Sequence, residues 1–250
     1  MLKDTARRLA GTAVHRGYAL IRRLGEISPA SPGGKRFHHL GEGACIGFPQ
    51  GAIFGEPWIS IGAHTLVGTH VSISAGFVPD LDLGPDVIVS IGESCSIGRG
   101  SHIVGHQSIR IGDDVFTGPY VYITDQNHTY ADLDAPIGRQ WPENAPVEIG
   151  DGCWLGTQAI ILPGTKLGRN VAVAGGAVVR GEFPDNCVIA GVPAKIVRRY
   201  DPEEGWLPPM KTRPPLISAE ELALLSVDGL EGLQLLQDRM IEQNLEEQAG

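Results

Sequence analysis

The sequence lacks the features that mark several common classes of protein. Its four cysteines are widely spaced and include no CxxC pair, so neither a zinc cluster nor a disulfide framework is indicated. It has no apolar run of about eighteen residues and no signal-peptide pattern, so we expect no membrane-spanning segment. Basic residues number only 20 against 29 acidic ones and are not interleaved with stacking aromatics, which argues against nucleic-acid binding. These absences favour a cytoplasmic protein.

Charge is distributed unevenly between the two ends. Residues 1–26 carry six basic and two acidic side chains, a balance of +4, whereas residues 201–250 carry three basic and eleven acidic ones, a balance of −8. Within this basic segment we predict a helix over residues 2–25, which ends before a Ser/Pro/Gly-rich stretch at residues 28–34. Its rough apolar stripe consists of Leu2, Leu9, Ala13, Tyr18, Ile21 and Leu24. Such a helix packs on the rest of the protein, including across a subunit boundary, or it lies on an anionic membrane surface.

What the sequence does contain is a repeat of six. From residue 149 to residue 179 an aliphatic side chain opens every sixth position: Ile149, Leu155, Ile161, Leu167, Val173 and Val179. This period fits neither a helix nor a lone strand, and it is typical of a left-handed coil with three flat sides. Residues eighteen apart should therefore stack, as Ile149 on Leu167. The predicted fold class is an all-β solenoid, a left-handed parallel β-helix with flanking N- and C-terminal α-helices.

The same period occurs upstream, with three interruptions. The earlier positions are Ile61, Val67, Ile73, Ile91, Ile97, Ile103, Ile111, Thr117 and Ile123. After Ile73, Pro79 and Pro85 stand where aliphatic residues are due, so a distorted coil and an excursion of equal length both fit. After Ile103 the step is eight residues, which indicates a widened corner. After Ile123 it is twenty-six, which no whole number of hexapeptides fits, so an external loop is predicted over residues 124–148.

This loop carries the strongest candidate for a catalytic group. Loops that leave a rigid scaffold are frequent carriers of function. His128 is the only side chain in the loop whose unperturbed pKa permits proton transfer near neutral pH. Asp125, Asn127 and Tyr130 lie close in sequence and are predicted to orient the ring or the molecule whose proton it takes.

Other histidines suggest a metal site, which the spacing does not favour. His64 and His70 are six residues apart and should point from successive faces of the coil, so one chain cannot close both on one ion. His102 and His106 would need a histidine from another subunit, because zinc requires three or four convergent ligands. We expect no metal.

Four features together make the sequence resemble a known family. They are the hexapeptide run, the Asp-Gln-Asn-His loop at residues 125–128, the Gly-Cys-Trp-Leu-Gly segment at residues 152–156 and the ending Ile-Ala-Gly-Val-Pro-Ala-Lys-Ile-Val-Arg at residues 189–198. Over about residues 59–199 the chain resembles the left-handed β-helix O-acetyltransferases, which include the maltose, galactoside and nodulation-factor acetyltransferases. The resemblance implies acetyl-CoA as donor and a hydroxyl of a saccharide or glycolipid as acceptor. It also implies a homotrimer with active sites between neighbouring prisms.

The resemblance also implies roles for individual residues. His128 would be the catalytic base. The CoA-binding positions would be Trp154 beside the site, Thr157 and Gly175 with backbone N–H groups for the thioester or pantetheine arm, and Arg180, Lys195 and Arg198 for the nucleotide end. The chain departs from the family pattern at Ala174-Gly175-Gly176, at Arg180-Gly181 and at Gly98, where sugar-specific members carry an asparagine for the acceptor.

The predicted organisation has three parts. Residues 1–40 form an N-terminal helix and linker, residues 41–199 a β-helix acyltransferase domain, and residues 200–250 a Pro-rich strap with C-terminal helices that cap the prism or bind a partner. Two other functions fit a trimeric prism: a metal-dependent hydratase of the γ-carbonic-anhydrase type and a non-catalytic scaffold.

Overall fold

A computed structural model describes residues 2–79 and 81–210, and the side chains of residues 7, 8, 10–79 and 81–210. Residues 2–79 and 81–208 belong to one compact unit. The predicted C-terminal helices lie outside the described residues. One α-helix, α1 (Leu2–Gly25), opens the chain as predicted. Three short 3-10 helices cover Gly34–Arg36, Glu56–Trp58 and Ile137–Arg139.

The rest of the described chain consists mainly of short strands. In chain order these are β1 (His39–Leu40), β2 (Cys45–Ile46), β3 (Ile53–Phe54), β4 (Ile59–Ile61), β5 (Leu66–Val67), β6 (Ser72–Ala75), β7 (Val89–Ile91), β8 (Ser96–Ile97), β9 (His102–Gly105), β10 (Ile109–Ile111), β11 (Phe116–Thr117), β12 (Tyr122–Thr124), β13 (Gln126–Asn127), β14 (Glu143–Asn144), β15 (Val147–Ile149), β16 (Trp154–Leu155), β17 (Ile160–Ile161), β18 (Lys166–Leu167), β19 (Ala172–Val173), β20 (Val178–Val179), β21 (Glu182–Phe183), β22 (Cys187–Gly191), β23 (Ala194–Asp201) and β24 (Gly205–Leu207).

The strands form the three sides of a prism, which the chain visits in rotation. Sheet 1 has the order β1-β4-β7-β10-β15-β18-β21, sheet 2 the order β2-β5-β8-β11-β16-β19-β22-β23-β24, and sheet 3 the order β3-β6-β9-β12-β17-β20. Strands of successive coils pair in parallel, and within these three sheets only the end of sheet 2, from β22 to β24, is antiparallel. Strands β13 and β14 lie outside the prism and form a separate antiparallel pair. The predicted left-handed parallel β-helix is confirmed.

Inward-facing side chains stack into three columns that make up the core. Ile149 pairs with Leu167, Leu155 with Val173, and Ile161 with Val179, each eighteen positions apart as the repeat predicted. All six of these side chains are at most 3% exposed. Burial of these aliphatic columns supplies the main stabilisation of a solenoid, because each coil covers the apolar surface of its neighbour.

All three interruptions of the repeat leave the prism at the same edge. Ile61 pairs with Ile91 thirty positions later, Ile91 with Ile111 after twenty, and Ile111 with Ile149 after thirty-eight, whereas Ile149 and Leu167 show that a plain coil needs eighteen. Each insertion lies where the chain passes from sheet 3 to sheet 1. We call this the insertion edge, and its insertions are residues 76–88, 106–108 and 125–146. The first is therefore an excursion and not a distorted coil.

The chain beyond residue 199 differs from the prediction. The expected strap was to begin at residue 200, but β23 runs from Ala194 to Asp201 and pairs with β24. Residues 200–207 therefore belong to a hairpin that extends sheet 2. The backbone of this hairpin is hydrogen-bonded within the sheet, so these residues are not part of a separate extended strap.

Among the described side chains of helix α1, contacts with the prism lie near its C-terminal end. The Gln50 side-chain amide donates to the Gly25 carbonyl at 2.8 Å, and Ile27 exchanges two backbone hydrogen bonds with Ile46. Side chains at positions 7, 8, 10 and 12–24 are all exposed. The expectation that the helix packs on the prism of its own chain is therefore wrong. In the described part of the chain, no helix has the length and hydrophobicity needed to cross a bilayer.

Candidate active site

His128 lies at the top of a small hairpin stem on the insertion edge. Strands β13 and β14 pair Gln126 with Asn144 and Asn127 with Glu143. His128 follows this stem directly and is exposed. One residue further on, the Thr129 hydroxyl donates to the Trp141 carbonyl at 2.7 Å. Contacts across the loop on both sides of His128 thus restrict its backbone while leaving the imidazole accessible.

Asp125 ties this loop to the insertion below it. Its side chain is fully buried, and its two carboxylate oxygens accept the backbone N–H groups of His106 at 2.8 Å, Gln107 at 2.7 Å and Ser108 at 2.7 Å. Hydrogen bonds from N–H groups to a carboxylate are among the stronger ones in proteins. The sequence placed Asp125 beside the acceptor, whereas in the structure the neighbouring turn occupies its carboxylate.

A second histidine stands beside the first. The His106 ring meets Phe77 edge-on, with ring centroids 4.1 Å apart. Its Nδ1 is buried and has no hydrogen-bond partner within the described residues. Burial lowers the pKa of His106, the Asp125 carboxylate partly offsets this effect, and nearby His128 lowers it further. Each of the three insertions therefore contributes a ring, Phe77, His106 or His128, to one stretch of the insertion edge. Sequence reasoning gave Phe77 no role.

Thr157 and Gly175 stack on the edge between sheets 2 and 3. The Gly176 N–H donates to the Thr157 carbonyl at 2.9 Å. A Cβ on Gly156 would lie 2.5 Å from the Gly175 nitrogen, so only glycine permits this close stacking. Among the hydrogen bonds of the described residues, the N–H groups of Thr157 and Gly175 donate to no acceptor. They are free to bind a ligand.

Trp154 and Arg198 share the outer surface of sheet 2. Trp154 is in register with Ala172, which pairs with Val188, and Arg198 lies opposite Val188. Trp154 is 49% exposed. Lys195 is exposed on the same strand as Arg198, β23. The structure thus brings these three side chains onto one sheet.

Arg180 lies elsewhere, on the insertion edge. It lines a small cavity of about 160 Å³ together with Asn127, Glu143 and Pro163, beside the stem that carries His128. The predicted CoA-binding residues therefore divide between two edges of one prism, with sheet 3 between them. Tyr130 is 74% exposed on the same loop as Asn127.

Gly98 explains one departure from the family pattern. A Cβ at this position would lie 2.7 Å from the Pro119 nitrogen on the next coil. The edge therefore has no room for the asparagine that sugar-specific members of the family carry.

Three of the four cysteines are buried, and His64 and His70 lie at separate corners of the prism. Burial raises the pKa of Cys153 to about 11 and also raises that of Cys95, so these buried thiols are poor nucleophiles. His64 and His70 sit at successive corners with positive φ. Across residues 2–79 and 81–210, no three His, Cys, Asp or Glu side chains converge as metal ligands.

A three-sided β-helix with a period of six is the fold that hexapeptide repeats form, and two segments of the chain match models of such repeats. Residues 146–181 match the family model "Bacterial transferase hexapeptide (six repeats)", and residues 88–124 match "Hexapeptide repeat of succinyl-transferase". Taken with the relatives below, these matches confirm the predicted resemblance to the hexapeptide-repeat acetyltransferases.

Similar curated proteins are acetyltransferases by name. The chain is 40% identical over 109 residues to the putative lipopolysaccharide biosynthesis O-acetyl transferase WbbJ of Escherichia coli K12, covering 41% of this chain and 56% of that protein. It is 30% identical over 128 residues to the galactoside O-acetyltransferase of the same organism, covering 47% and 60%. The chain thus spans less than two thirds of the length of either relative.

Among solved structures, a point mutant of AntD, an N-acyltransferase from Bacillus cereus in complex with dTDP and coenzyme A, is similar with a TM-score of 0.57. The two chains are 16% identical, and the match covers 71% of this chain and 94% of the other. This likeness shows the shared fold.

Proposed function

We propose that the protein is an acyl-CoA-dependent O-acyltransferase that moves acetyl from acetyl-CoA to a hydroxyl of a saccharide or glycolipid. The observation that carries the proposal is the position of His128, held at the top of a hairpin stem on the edge where all three insertions leave a hexapeptide prism. The names of the two curated relatives support a saccharide acceptor.

His128 acts as the general base in this proposal. Its imidazole takes the proton of the acceptor hydroxyl while the oxygen attacks the thioester carbonyl carbon. Backbone N–H groups receive the negative charge that develops on the carbonyl oxygen, and those of Thr157 and Gly175 are available. As the intermediate collapses, the C–S bond breaks, and the imidazolium returns its proton to the departing CoA thiolate. The ester product and CoA leave with His128 neutral again.

The donor runs along sheet 2 and its edge with sheet 3 in this scheme. Trp154 covers the pantetheine arm, and the cations of Lys195 and Arg198 bind the phosphates at the nucleotide end. Arg180 and His128 lie on the other edge of the same prism. We infer that a complete site combines the insertion edge of one chain with the sheet 2–sheet 3 edge of another.

The three faces support assembly through sheets 2 and 3. The outer column of sheet 1 is polar and consists of His39, Ser60, Ser90, Arg110, Glu148, Lys166 and Glu182. By contrast, sheets 2 and 3 expose large apolar side chains, with Leu66 56%, Phe116 59% and Tyr122 38% exposed. Two different apolar surfaces on one chain favour a head-to-tail contact, and such contacts form a ring when the rotation between neighbours closes. We therefore propose a homotrimer.

Helix α1 supplies a peripheral membrane contact in the same proposal. Its exposed apolar residues are Val14, Tyr18, Leu20, Ile21 and Leu24, and its exposed cations include Arg7, Arg8, Arg16, Arg22 and Arg23. A basic amphipathic helix of this kind lies in the plane of an anionic bilayer. This contact would hold the enzyme at the cytoplasmic surface, where acetyl-CoA and glycolipid acceptors are both present.

The test is the exchange of His128 for alanine, with His39→Ala on the polar face of sheet 1 as the control. Because a positioned base contributes about 10² to 10⁴ in rate, His128→Ala should lower acetyl transfer by a factor in that range. Calorimetric affinity for CoA and the oligomeric mass should stay at the wild-type values, since neither depends on the imidazole. Transfer within a few-fold of wild type would exclude His128 as the base and direct attention to His102 and His106.

A further inference from the structure

We propose that a groove at the N-terminal end of the insertion edge binds the distal part of an extended saccharide, so that the preferred acceptor is an oligosaccharide and not a single sugar. This inference rests on the proposed function and specifies its substrate. It concerns a surface that lies well apart from His128 and from the donor residues.

The groove lies between the first coil and the first insertion. It encloses about 730 Å³, and its lining includes Arg36, Phe54, Trp58, Pro79, Leu81 and Asp82. One wall comes from the 3-10 helix Glu56–Trp58 and the other from the insertion of residues 76–88. The insertion thus converts an open corner of the prism into a concave site.

The walls are fixed before any ligand arrives. Glu56 is buried and forms an ion pair with Arg36, with 2.9 Å between the carboxylate oxygen and the guanidinium nitrogen. The Trp58 indole N–H donates to the Gly84 carbonyl at 2.7 Å, which ties the insertion to the first coil. A site whose side chains are already held loses little conformational entropy on binding. The groove is therefore preorganised.

The lining suits a sugar ring better than a purely apolar ligand. Phe54 and Trp58 contribute aromatic side chains, while Arg36 and Asp82 contribute charged hydrogen-bonding groups at the margins. Sugar rings present C–H faces to aromatics and hydroxyls to charged groups, and mixed lining of this kind fixes both orientation and identity.

Distance along the prism sets the length of the ligand. Ile53 pairs with Ile73, Ile73 with Ile103 and Ile103 with Ile123, so β3 beside the groove and β12 below His128 are three rungs apart. At about 4.8 Å between neighbouring strands, the separation is about 14 Å. One sugar ring cannot occupy the groove and place a hydroxyl at His128.

The intermediate rungs offer a continuous path. Phe77 and His106 lie on the same edge between the groove and the loop of His128, and they contact each other. The proposed donor residues Lys195 and Arg198 lie on β23, at the opposite end of the prism. Acceptor and donor therefore approach His128 from opposite ends without competing for space.

The test measures binding separately from catalysis. A ladder of mono- to tetrasaccharides from partial hydrolysis of bacterial envelope polysaccharides is titrated calorimetrically into wild type, Leu81→Trp and Val78→Trp. Leu81 lines the groove, whereas Val78 is an exposed neighbour on the same insertion outside that lining. Wild type and Val78→Trp should bind the trisaccharide at least about tenfold more tightly than the monosaccharide. Leu81→Trp fills the groove and should bind both equally.

Absence of any length dependence in wild type, or its survival in Leu81→Trp, would overturn the groove proposal. Acetyl transfer to the same ladder then separates the two proposals. Length-dependent binding without transfer would support the groove as a saccharide site and contradict the proposed acyltransferase activity. If wild type and Leu81→Trp both transfer acetyl equally to the monosaccharide and the trisaccharide, the groove is not an acceptor site, whereas the proposed acyltransferase activity is supported.

Discussion

Asp125 connects two insertions through a single carboxylate. Asp125→Ala would leave the N–H groups of residues 106–108 without their acceptor, and unsatisfied polar groups of this kind cost about 1 to 3 kcal/mol each when buried. Because the turn is only partly buried and water can replace some bonds, we expect a total loss of about 2 kcal/mol in the free energy of unfolding, together with reduced transfer.

The control for this change is Asp113→Ala. Asp113 accepts one backbone N–H, from Glu93 at 2.7 Å, on an exposed corner far from His128. Urea denaturation should show a smaller loss for it, and transfer should not change. If Asp125→Ala unfolds within about 0.5 kcal/mol of wild type, the range of an ordinary surface change, then the carboxylate does not hold the turn.

The role of Asp125 could not be predicted from its neighbours in sequence. Its partners lie 17 to 19 positions earlier and reach it only because the coils stack. The position of His128 on an external loop, by contrast, could be predicted, because the break in the six-residue repeat marks the loop in the sequence itself. The position of Arg180 beside Asn127 also depends on stacking, since Leu162 and Pro163 bring the next coil against the loop.

At the scale of the strand, Leu167 tests the register of the core. It is 3% exposed and stacks between Ile149 and Phe183 on sheet 1. Leu167→Ala should lower the free energy of unfolding by about 2 to 5 kcal/mol, because the rigid column cannot collapse into the cavity. Urea denaturation measures this loss directly.

The neighbouring outward residue provides the comparison. Lys166→Ala removes an exposed side chain that pairs with Glu148 at 3.1 Å, and an exposed pair of this kind contributes at most about 1 kcal/mol. Equal losses for Leu167→Ala and Lys166→Ala would mean that the assignment of inner and outer positions is wrong.

The inner columns could be predicted because three-sided corners force every sixth side chain inward. The first insertion could not, because its twelve extra residues are two whole hexapeptides and leave the spacing in phase. A signal was nevertheless present. All three breaks follow a residue of the third phase, Ile73, Ile103 or Ile123, and a common phase places them on one edge. The hairpin of β23 and β24 has no such signal, because an antiparallel return does not follow the period.

At the scale of the whole molecule, the apolar faces predict association. Phe116 is 59% exposed on sheet 2, and Phe116→Asp would bury a charge in a contact between copies. Light scattering should give the mass of a trimer for wild type and a smaller mass for Phe116→Asp on dilution. Arg110→Asp, on the polar column of sheet 1, should remain trimeric. A wild-type monomer at every concentration would contradict the shared site as well as the trimer.

Helix α1 predicts salt-sensitive binding to membranes. The protein should sediment with vesicles that contain anionic lipid at low ionic strength and release as salt screens its arginines. Leu20 and Leu24 are 57% and 75% exposed, so replacing both with aspartate should abolish sedimentation at every salt concentration. Vesicles of neutral lipid serve as the control. Failure of wild type to bind anionic vesicles at low salt would exclude this contact.

The common edge of the three insertions has a consequence for how such a chain can change. The groove, the Phe77 and His106 rings and the His128 loop lie on successive coils of one stack. Neighbouring coils are one strand spacing of about 4.8 Å apart. A plain coil has eighteen residues, the interval between Ile149 and Leu167. Duplicating one such coil would shift all later coils by one strand spacing and leave the structure of each coil unchanged. In the proposed scheme, one coil added between the groove and His128 would shift the acylated position further along the saccharide. On that proposal, the number of coils determines which hydroxyl reaches His128, in steps of one strand spacing.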